Sequence, residues 1–183
     1  MKAAQALLFD EGLGQLTVER VAARSGASRM TIHKWWPSKG SLAFDAYREA
    51  VAPDLSFDDT GDVVADLRMQ LHAFVHLMTR TPAGRVLREL IGLSQLDADL
   101  RAGLVERYST PRRQLAIEAL RRAQERGQVR GDVDPSTVVD QLWGACYHRL
   151  LLSDLPVTTD FADELLANVT RGIMRRALSL GEG

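Results

Sequence analysis

A short segment near the start of the chain, residues 17–39, constrains the fold more strongly than any other stretch. Its pattern predicts two short helices joined by a tight turn at Gly26, because glycine adopts the positive φ that ends a helix without a steric penalty. Thr17 and Ser28 stand before the two helices, where a side-chain hydroxyl accepts a hydrogen bond from a free backbone N–H. Ile32 is the apolar residue of the second helix that would face the first. Such a pair is a helix-turn-helix, whose second helix fits a DNA major groove.

Positive charge is concentrated in the same segment. Residues 17–40 contain five positive side chains and one negative, whereas the whole chain has a net charge of −1. A local excess of positive charge is typical of a surface that meets a polyanion, and it does not require the whole protein to be basic. The segment therefore indicates binding to DNA.

The N-terminal segment resembles the TetR family of bacterial transcriptional regulators. The resemblance is carried, at the family's spacing and without gaps, by Ala3-Ala4, Leu7-Leu8, Gly12, Thr17-Val18, Val21-Ala22, Gly26-Ala27-Ser28, Thr31-Ile32, Trp36-Pro37-Ser38-Lys39 and Leu42. It implies an all-α protein in which residues 1–50 form a three-helix helix-turn-helix DNA-binding domain. Residues 51–183 then form a helical regulatory and dimerisation domain. Members of the family usually have several more residues, often basic, before the first helix, so a contact from an N-terminal arm is left open here.

The second helix of the motif supplies most of the candidate DNA contacts. Arg29, at its start, either donates two parallel hydrogen bonds to a guanine edge, which discriminates by about 1–3 kcal/mol, or binds phosphate. Met30 suits a thymine methyl group, and Thr31 suits a phosphate or a base. His33 stands where the family has tyrosine, and its imidazole either donates to a phosphate or is a neutral surface group.

Further candidates surround that helix. The indole N–H of Trp36 can donate to a phosphate while its ring packs on the next helix, whereas Trp35 is expected in the core. Lys34 and Lys39 are candidates for phosphate contacts, and Lys39 and Thr17 also lie at helix N-termini, where free backbone N–H groups favour an anion. The predicted DNA contacts are Thr17, Ser28, Arg29, Met30, Thr31, His33, Lys34, Trp36 and Lys39.

The remainder of the chain has helical periodicity and no pattern of β alternation. An acidic, turn-rich stretch at residues 54–62, after a helix that is ended by Pro53, is predicted to link two parts. Thr81-Pro82 and Asp134-Pro135 each predict a helix start, because proline is favoured at the first helical position. Thr110-Pro111 either kinks a helix or starts a new one. The predicted fold is all-α.

The resemblance also implies a site for a small-molecule inducer, apolar or amphipathic, among the helices between Val63 and Tyr147. The candidate lining residues are apolar, or aromatic with a polar tip, and for any one aromatic residue packing in the core or at a dimer contact is the alternative. They are Leu71, His72, Val75, Met78, Leu87, Tyr108, Trp143 and Tyr147.

The last two helices have wide apolar faces, and a face wider than one core requires often packs on a partner. The resemblance implies that these helices pair with their copies in a homodimer, as a four-helix bundle. The alternative is that the faces are intramolecular core. The residues predicted at the interface are Val138, Val139, Leu142, Cys146, Leu150, Phe161, Leu165, Val169 and Ile173.

Several classes of function are disfavoured. The sequence has no Gly-rich phosphate loop, no Gly-x-Ser-x-Gly nucleophile elbow, no His-Glu-x-x-His motif and no cluster of acids around a histidine, so we expect no catalytic residue and no cofactor. His72 and His76 have the spacing of a metal pair but lack a third ligand, so no metal site is expected. No apolar run approaches the about 18 residues of a membrane span, so no membrane partner is expected. Cys146 is the single cysteine, which fits a reducing compartment, the cytoplasm.

The sequence therefore indicates a transcriptional regulator that binds double-stranded DNA. The resemblance implies a dimeric repressor released from a palindromic operator by its inducer. Two alternatives remain at this point. One is a regulator or activator on the same scaffold that senses no ligand, and the other is a helix-turn-helix used for protein interaction or RNA binding.

Overall fold

The computed structural model describes residues 1–51 and 58–173, and within these ranges the chain is built from α-helices without a β-strand. The predicted all-α fold is confirmed. The helices are α1 (Lys2–Ala6), α2 (Val18–Ser25), α3 (Arg29–Trp35), α4 (Lys39–Val51), α5 (Val63–Arg80), α6 (Ala83–Ser94), α7 (Ala98–Leu104), α8 (Thr110–Glu125), α9 (Pro135–Leu152) and α10 (Thr159–Ile173). Three parts of the sequence predictions lie outside the described residues: Pro53 as a helix end, residues 54–57 of the linker, and residues 174–183 of the second domain.

The first of two compact units comprises Met1–Ser56 and Ala73–Arg112. Helix α4 is its central element and packs on α1, α6 and α7. Apolar side chains of these helices, of α5 and of the segment between α1 and α2 form the fully buried core of the unit, because burial of apolar surface is the main force that holds helices together. The core includes Leu7, Leu8, Leu16, Leu42, Phe44, Tyr47, Met78, Leu87 and Leu90.

The first helix is completed by side chains from α6. The helical run that begins with α1 continues as a π-helical turn, Leu7–Glu11, and ends there. Arg85 Nη2 donates to the carbonyl oxygen of Phe9 at 2.7 Å, and the backbone N–H of Leu13 donates to Glu89 Oε2 at 2.7 Å. Backbone groups left free at a helix end need partners. The two α6 side chains supply them and so fix the point from which the chain enters α2.

A close approach between α5 and α6 depends on a glycine. A Cβ atom on Gly84 would lie 1.8 Å from the carbonyl oxygen of Met78, so no larger residue fits without a shift of backbone. The hydroxyl of Thr81 accepts from the backbone N–H of Ala83 at 3.1 Å, and α6 begins at Ala83. The helix start predicted at Thr81-Pro82 is present, one residue later than the pattern indicates.

The sequence left two alternatives at Thr110-Pro111, a kink within a helix or a new helix start. The structure has a continuous helical run there with a local distortion. Helix α7 passes into a π-helical turn, Val105–Ser109, and α8 follows directly, with Thr110 at φ −60° and ψ −48°. Pro111 has no N–H to donate, and its ring would collide with the carbonyl four residues earlier in a regular α-helix. A widened turn removes that collision. The proline therefore changes the pitch of the helix without ending it.

The second compact unit comprises Phe57–His72 and Arg113–Gly183. Helices α9 and α10 pack against each other in it. Asp134 caps α9 by accepting from the backbone N–H groups of Ser136 and Thr137, which confirms the helix start predicted at Asp134-Pro135. The buried apolar residues of the second unit include Leu67, Leu71, Leu120, Val138, Leu142, Cys146 and Leu166. The division of function at residue 50 stays a prediction.

Candidate nucleic-acid interface

The helix-turn-helix forms as the sequence predicts. Thr17 accepts a hydrogen bond from the backbone N–H of Arg20 and caps α2, and Ser28 accepts from the N–H of Thr31 and caps α3. Gly26 ends α2 at φ 72°, in the left-handed conformation that the turn requires. Ile32 is buried between the helices, with 4% of its surface exposed. The two caps, the turn at Gly26 and the buried Ile32 together fix the orientation of α3, the recognition helix, relative to α2.

The outer side of the recognition helix carries most of the predicted contacts. Met30 is 81% exposed, although an isolated methionine gains nothing from contact with water. The other exposed members of the predicted set are Ser28, Arg29, Thr31, His33 and Lys34, whereas Thr17, Trp36 and Lys39 are half-buried. The exposed set combines hydrogen-bond donors with one large apolar group, which suits direct contact with base edges and phosphates.

The core position predicted for Trp35 is wrong, because 69% of its surface is exposed. Three residues advance a helix by about 300°, so Trp35 is turned about 60° away from Ile32, which faces α2. The recognition helix also ends at Trp35, and most of the ring is left uncovered. Trp35 is therefore a second exposed apolar side chain of the recognition helix, on a different side of it from Met30.

Arg29 has an intramolecular partner in this structure. Its Nη1 lies 3.5 Å from Glu19 Oε1 in α2, and both side chains are mostly exposed. The pKa of Glu19 is lowered, first by a hydrogen bond from its own backbone N–H and then by the Arg29 guanidinium. An exposed pair of this kind is weak. Arg29 is therefore oriented by Glu19 and remains free to exchange this partner for a nucleic acid.

Two other arginines of the basic segment point to a different carboxylate. Arg20 Nη2 lies 2.7 Å from Glu11 Oε2, and Arg24 Nη2 lies 3.5 Å from Glu11 Oε1. Arg20 also donates to the backbone carbonyl and side-chain oxygen of Gln15 at 3.2 Å. These contacts brace α2 against the end of the first helix. The local excess of positive charge seen in the sequence is thus partly neutralised within the fold.

The half-buried members of the predicted set also have partners in the protein. Trp36 Nε1 donates to Asp45 Oδ2 at 2.9 Å, so a phosphate contact by this N–H would require that hydrogen bond to open. Lys39 Nζ donates to the carbonyl oxygen of Gly14 at 3.2 Å. Their contact with DNA stays a prediction.

Three acidic residues were missed as parts of the site: Glu11, Glu19 and Asp45. Each orients a positive or N–H-bearing group of the helix-turn-helix. Glu19 was visible in the sequence as the lone negative residue among five positive ones. Glu11 and Asp45 lie 9 residues from Arg20 and Trp36, with a turn or helix end between, so no helical spacing relates them.

The residues predicted to line a ligand pocket are distributed over both compact units. Val75, Met78, Leu87 and Tyr108 belong to the first unit, where all four are buried. Leu71, His72, Trp143 and Tyr147 belong to the second unit. Their assembly into one pocket stays a prediction. The hydroxyls of Tyr47 and Tyr108 lie 3.4 Å apart inside the first unit, a buried polar pair among apolar side chains.

Other polar side chains of the second unit have structural partners. His72 Nε2 and Arg68 Nε approach the same carboxylate oxygen of Asp163, at 3.0 and 3.1 Å. His76 is exposed. Within residues 1–51 and 58–173, no group of three or more histidine, cysteine, aspartate or glutamate side chains is placed to hold a metal ion. No helix among the described residues is long and apolar enough to cross a membrane.

The residues predicted at a dimer interface fall into two groups. Five are buried inside the single chain, as expected for intramolecular core: Val138, Val139, Leu142, Cys146 and Ile173. Four are half-buried: Leu150, Phe161, Leu165 and Val169. Leu152 and Leu155, which the sequence did not single out, are 81% and 58% exposed. The first group has almost no surface left for a partner, so any partner contact made by the predicted set would come from the second group.

Comparison with known proteins places both parts of the chain. Residues 1–46 match the family described as "Bacterial regulatory proteins, tetR family", and residues 57–169 match "Tetracyclin repressor-like, C-terminal domain". The uncharacterized HTH-type transcriptional regulator YdeS of Bacillus subtilis strain 168 is 30% identical over 173 residues, which cover 94% of this chain and 87% of that protein. The DNA-binding transcriptional repressor TetR of Mycobacteroides abscessus is 27% identical over 175 residues, covering 92% and 88%. The crystal structure of the TetR family transcription regulator SCO0332 superposes with a TM-score of 0.84 at 56% identity, covering 94% of this chain and 95% of that one.

Proposed function

The chain belongs to the TetR family of bacterial regulatory proteins, and we propose that it acts as a homodimeric repressor that a small ligand releases from a palindromic operator. That it is a DNA-binding transcriptional regulator, and not an enzyme, follows from the family and its relatives. The proposal adds the sign of regulation, the symmetry of the site and the ligand.

The observation that supports the proposal most strongly is the exposed face of the recognition helix. Arg29, Thr31, His33 and Lys34 offer hydrogen-bond donors there, and Met30 offers an apolar contact to thymine. Ile32 and the two caps fix the position of the recognition helix in the motif. A helix that is already in position loses less entropy when it binds DNA, which favours sequence-specific contacts. A nonspecific polyanion-binding surface has no need of the apolar groups.

Homodimerisation is supported by the apolar surface that α9 and α10 leave uncovered. Leu150, Phe161, Leu165 and Val169 are half-buried, and Leu152 is 81% exposed. A two-fold dimer would present two recognition helices to successive major grooves, about 34 Å apart, and would therefore bind a palindrome. The relative of Mycobacteroides abscessus is named a repressor, which favours repression over activation here.

Release by a ligand is the remaining part of the proposal. The ligand would be apolar or amphipathic, because the candidate lining residues are buried apolar side chains and aromatic rings with polar tips. It would shift the population toward a form in which α4 holds the recognition helices at the wrong spacing. A ligand can do so only through a difference in affinity for the two forms.

The test is selection of DNA sites by the purified full-length protein from a pool of random duplexes, followed by a reporter assay. The proposal expects one enriched palindrome and a lower reporter signal when the protein is expressed. Enrichment without a palindrome contradicts the dimer, and an increased reporter signal contradicts repression.

A further inference from the structure

Asp45, in α4, joins two parts of the first compact unit that are far apart in the sequence. Its Oδ2 accepts a hydrogen bond from Trp36 Nε1 at 2.9 Å, and its Oδ1 accepts from Arg107 Nη2. Trp36 caps the recognition helix, and its backbone N–H donates to the carbonyl oxygen of Ile32 at 2.9 Å. One carboxylate therefore connects the end of the recognition helix to Arg107.

Arg107 lies in the π-helical turn Val105–Ser109 and is followed by Tyr108. The guanidinium of Arg107 also lies over the ring of Phe44 in α4, 5.2 Å from its centroid. The ring of Tyr108 packs edge-on against Tyr47, with centroids 5.6 Å apart, and the two hydroxyls lie 3.4 Å apart. Two consecutive residues of one turn thus contact α4, one through a charge and the other through a buried ring.

We propose that Arg107 is a positioning residue for DNA binding: it holds Asp45, which holds Trp36 and the end of the recognition helix. Because Arg107 and Tyr108 share one turn, a displacement of Tyr108 also displaces Arg107 and weakens the hold on Trp36. The inference rests on the proposed function, since Tyr108 is a candidate ligand-contacting residue. It adds a specific route by which an event at Tyr108 reaches the DNA-binding helices.

The surroundings of Asp45 and Arg107 favour a positioning role for this ion pair over a purely structural one. A hydrogen bond between charged groups is stronger than one between neutral groups. Asp45 is largely covered, with 22% of its side chain exposed, whereas the exposed fraction of Arg107 is 46%. The indole N–H of Trp36 donates to this carboxylate, so loss of the arginine removes the other group that holds the acceptor of Trp36 in place.

The test uses NMR of the full-length protein labelled with nitrogen-15, in which each tryptophan side chain gives one indole N–H signal. The signals of Trp35, Trp36 and Trp143 are assigned with single Trp→Phe variants. Asp45→Asn is expected to shift the Trp36 signal and to speed its exchange with solvent by about tenfold, since a charged acceptor is replaced by a neutral one. Arg107→Gln is expected to shift the signal in the same direction by a smaller amount, and Arg107→Lys to restore it in part.

A matched control and a double variant separate the route from general disturbance. Arg101→Gln removes an exposed arginine of α7, six residues before Arg107, and should leave the Trp36 signal unchanged. Tyr108→Leu should shift the Trp36 signal in the wild-type background and add little in the Arg107→Gln background. The proposal is overturned if the Trp36 signal does not shift in Arg107→Gln, or if it shifts by the same amount in Arg101→Gln. Additive shifts from Tyr108→Leu and Arg107→Gln overturn the route from Tyr108.

DNA binding provides the functional readout. On a duplex selected as above, Arg107→Gln should bind about tenfold more weakly, while binding to random duplex changes little. Equal loss on both duplexes means that Arg107 contributes charge and not position, and overturns the proposal. The indole signals need no DNA, so the positioning role can stand even if no specific duplex is found and the proposed function fails.

Discussion

The guanidinium of Arg29 and the carboxylate of Glu19 lie 3.5 Å apart across the turn between α2 and α3. The candidate for base contact therefore has an acidic partner on the other helix of the motif. An acidic neighbour repels phosphate, so it lowers binding to any DNA and is tolerated where specific contacts compensate. We therefore expect the pair to weaken nonspecific binding.

We expect Glu19→Gln to strengthen binding to random duplexes and to reduce the ratio of the affinity for specific DNA to the affinity for random DNA. The reason is that the variant removes a phosphate-repelling charge and leaves Arg29 without its partner. Fluorescence anisotropy on both duplexes at one salt concentration measures the change. Glu49→Gln, an exposed acid in α4, is the control. Unchanged random-duplex binding in Glu19→Gln would show that the pair has no such role.

Arg29→Ala is expected to relax specificity, and Lys34→Ala to weaken all duplexes alike. Loss of a bidentate contact to guanine removes about 1–3 kcal/mol of discrimination at one base pair, whereas loss of a phosphate contact reduces the salt slope by about 1. Binding to duplexes with single base changes, at several salt concentrations, distinguishes the two. The assignment of roles is wrong if both variants act equally on specific and random DNA.

Ile32→Ala is expected to destabilise the fold by about 2–5 kcal/mol, because it leaves a cavity between α2 and α3. Met30→Ala changes an exposed neighbour on the same helix and should stay within about 0.5 kcal/mol of wild type. Urea denaturation followed by circular dichroism measures both. Similar stability of the two variants would contradict the packing of Ile32 in the helix-turn-helix.

Leu165→Arg is expected to convert the proposed homodimer to a monomer, because it places a charge on the half-buried face of α10. Leu96→Arg is the matched control, since Leu96 is 91% exposed and lies outside the compact unit that contains α9 and α10. Analytical ultracentrifugation gives the mass of each. A wild-type mass for Leu165→Arg would place any dimer contact elsewhere.

The thiol of Cys146 is expected to be unreactive in the folded protein. Burial raises the pKa of Cys146 to about 11, against a weaker opposing effect of the nearby Arg149 charge. Because the folded pKa is raised above the ordinary value of 9.0, the contribution of the protonated thiol to stability is complete below pH 9 and is lost as the pH rises to about 11. Labelling with a thiol reagent at pH 8 should follow unfolding. Cys146→Ala should reduce the loss of stability in this alkaline range, and rapid labelling of the folded protein would contradict the buried position.

Local features of the helix-turn-helix were predictable because they depend on neighbours in the sequence. Thr17, Ser28 and Gly26 act on backbone groups within four residues, and the structure places all three as expected. Trp35 was misplaced because the helical period alone does not show where a helix ends or what covers its last turn. A pattern of apolar residues cannot decide burial at such a position.

Contacts between residues distant in sequence were not predictable in the same way. Arg85 and Glu89 complete the first helix across 76 residues, and Arg107 meets Asp45 across 62. Exposed acidic and arginine side chains have many possible partners, and only the packing of the helices selects among them. The dimer face shows the same limit, since a wide apolar face in sequence does not distinguish residues that the chain itself buries, such as Leu142, from those it leaves exposed, such as Leu152.

The central claim is that α3 recognises a specific operator as part of a dimer. The most direct measurement is fluorescence anisotropy of the full-length protein with duplexes tiled across the DNA beside its own gene, against random duplex, at two salt concentrations. We expect one tight palindromic site, bound by two subunits, whose affinity exceeds that for random duplex by about a thousandfold or more. Weak binding of equal strength to every duplex, lost at the higher salt concentration, would contradict it.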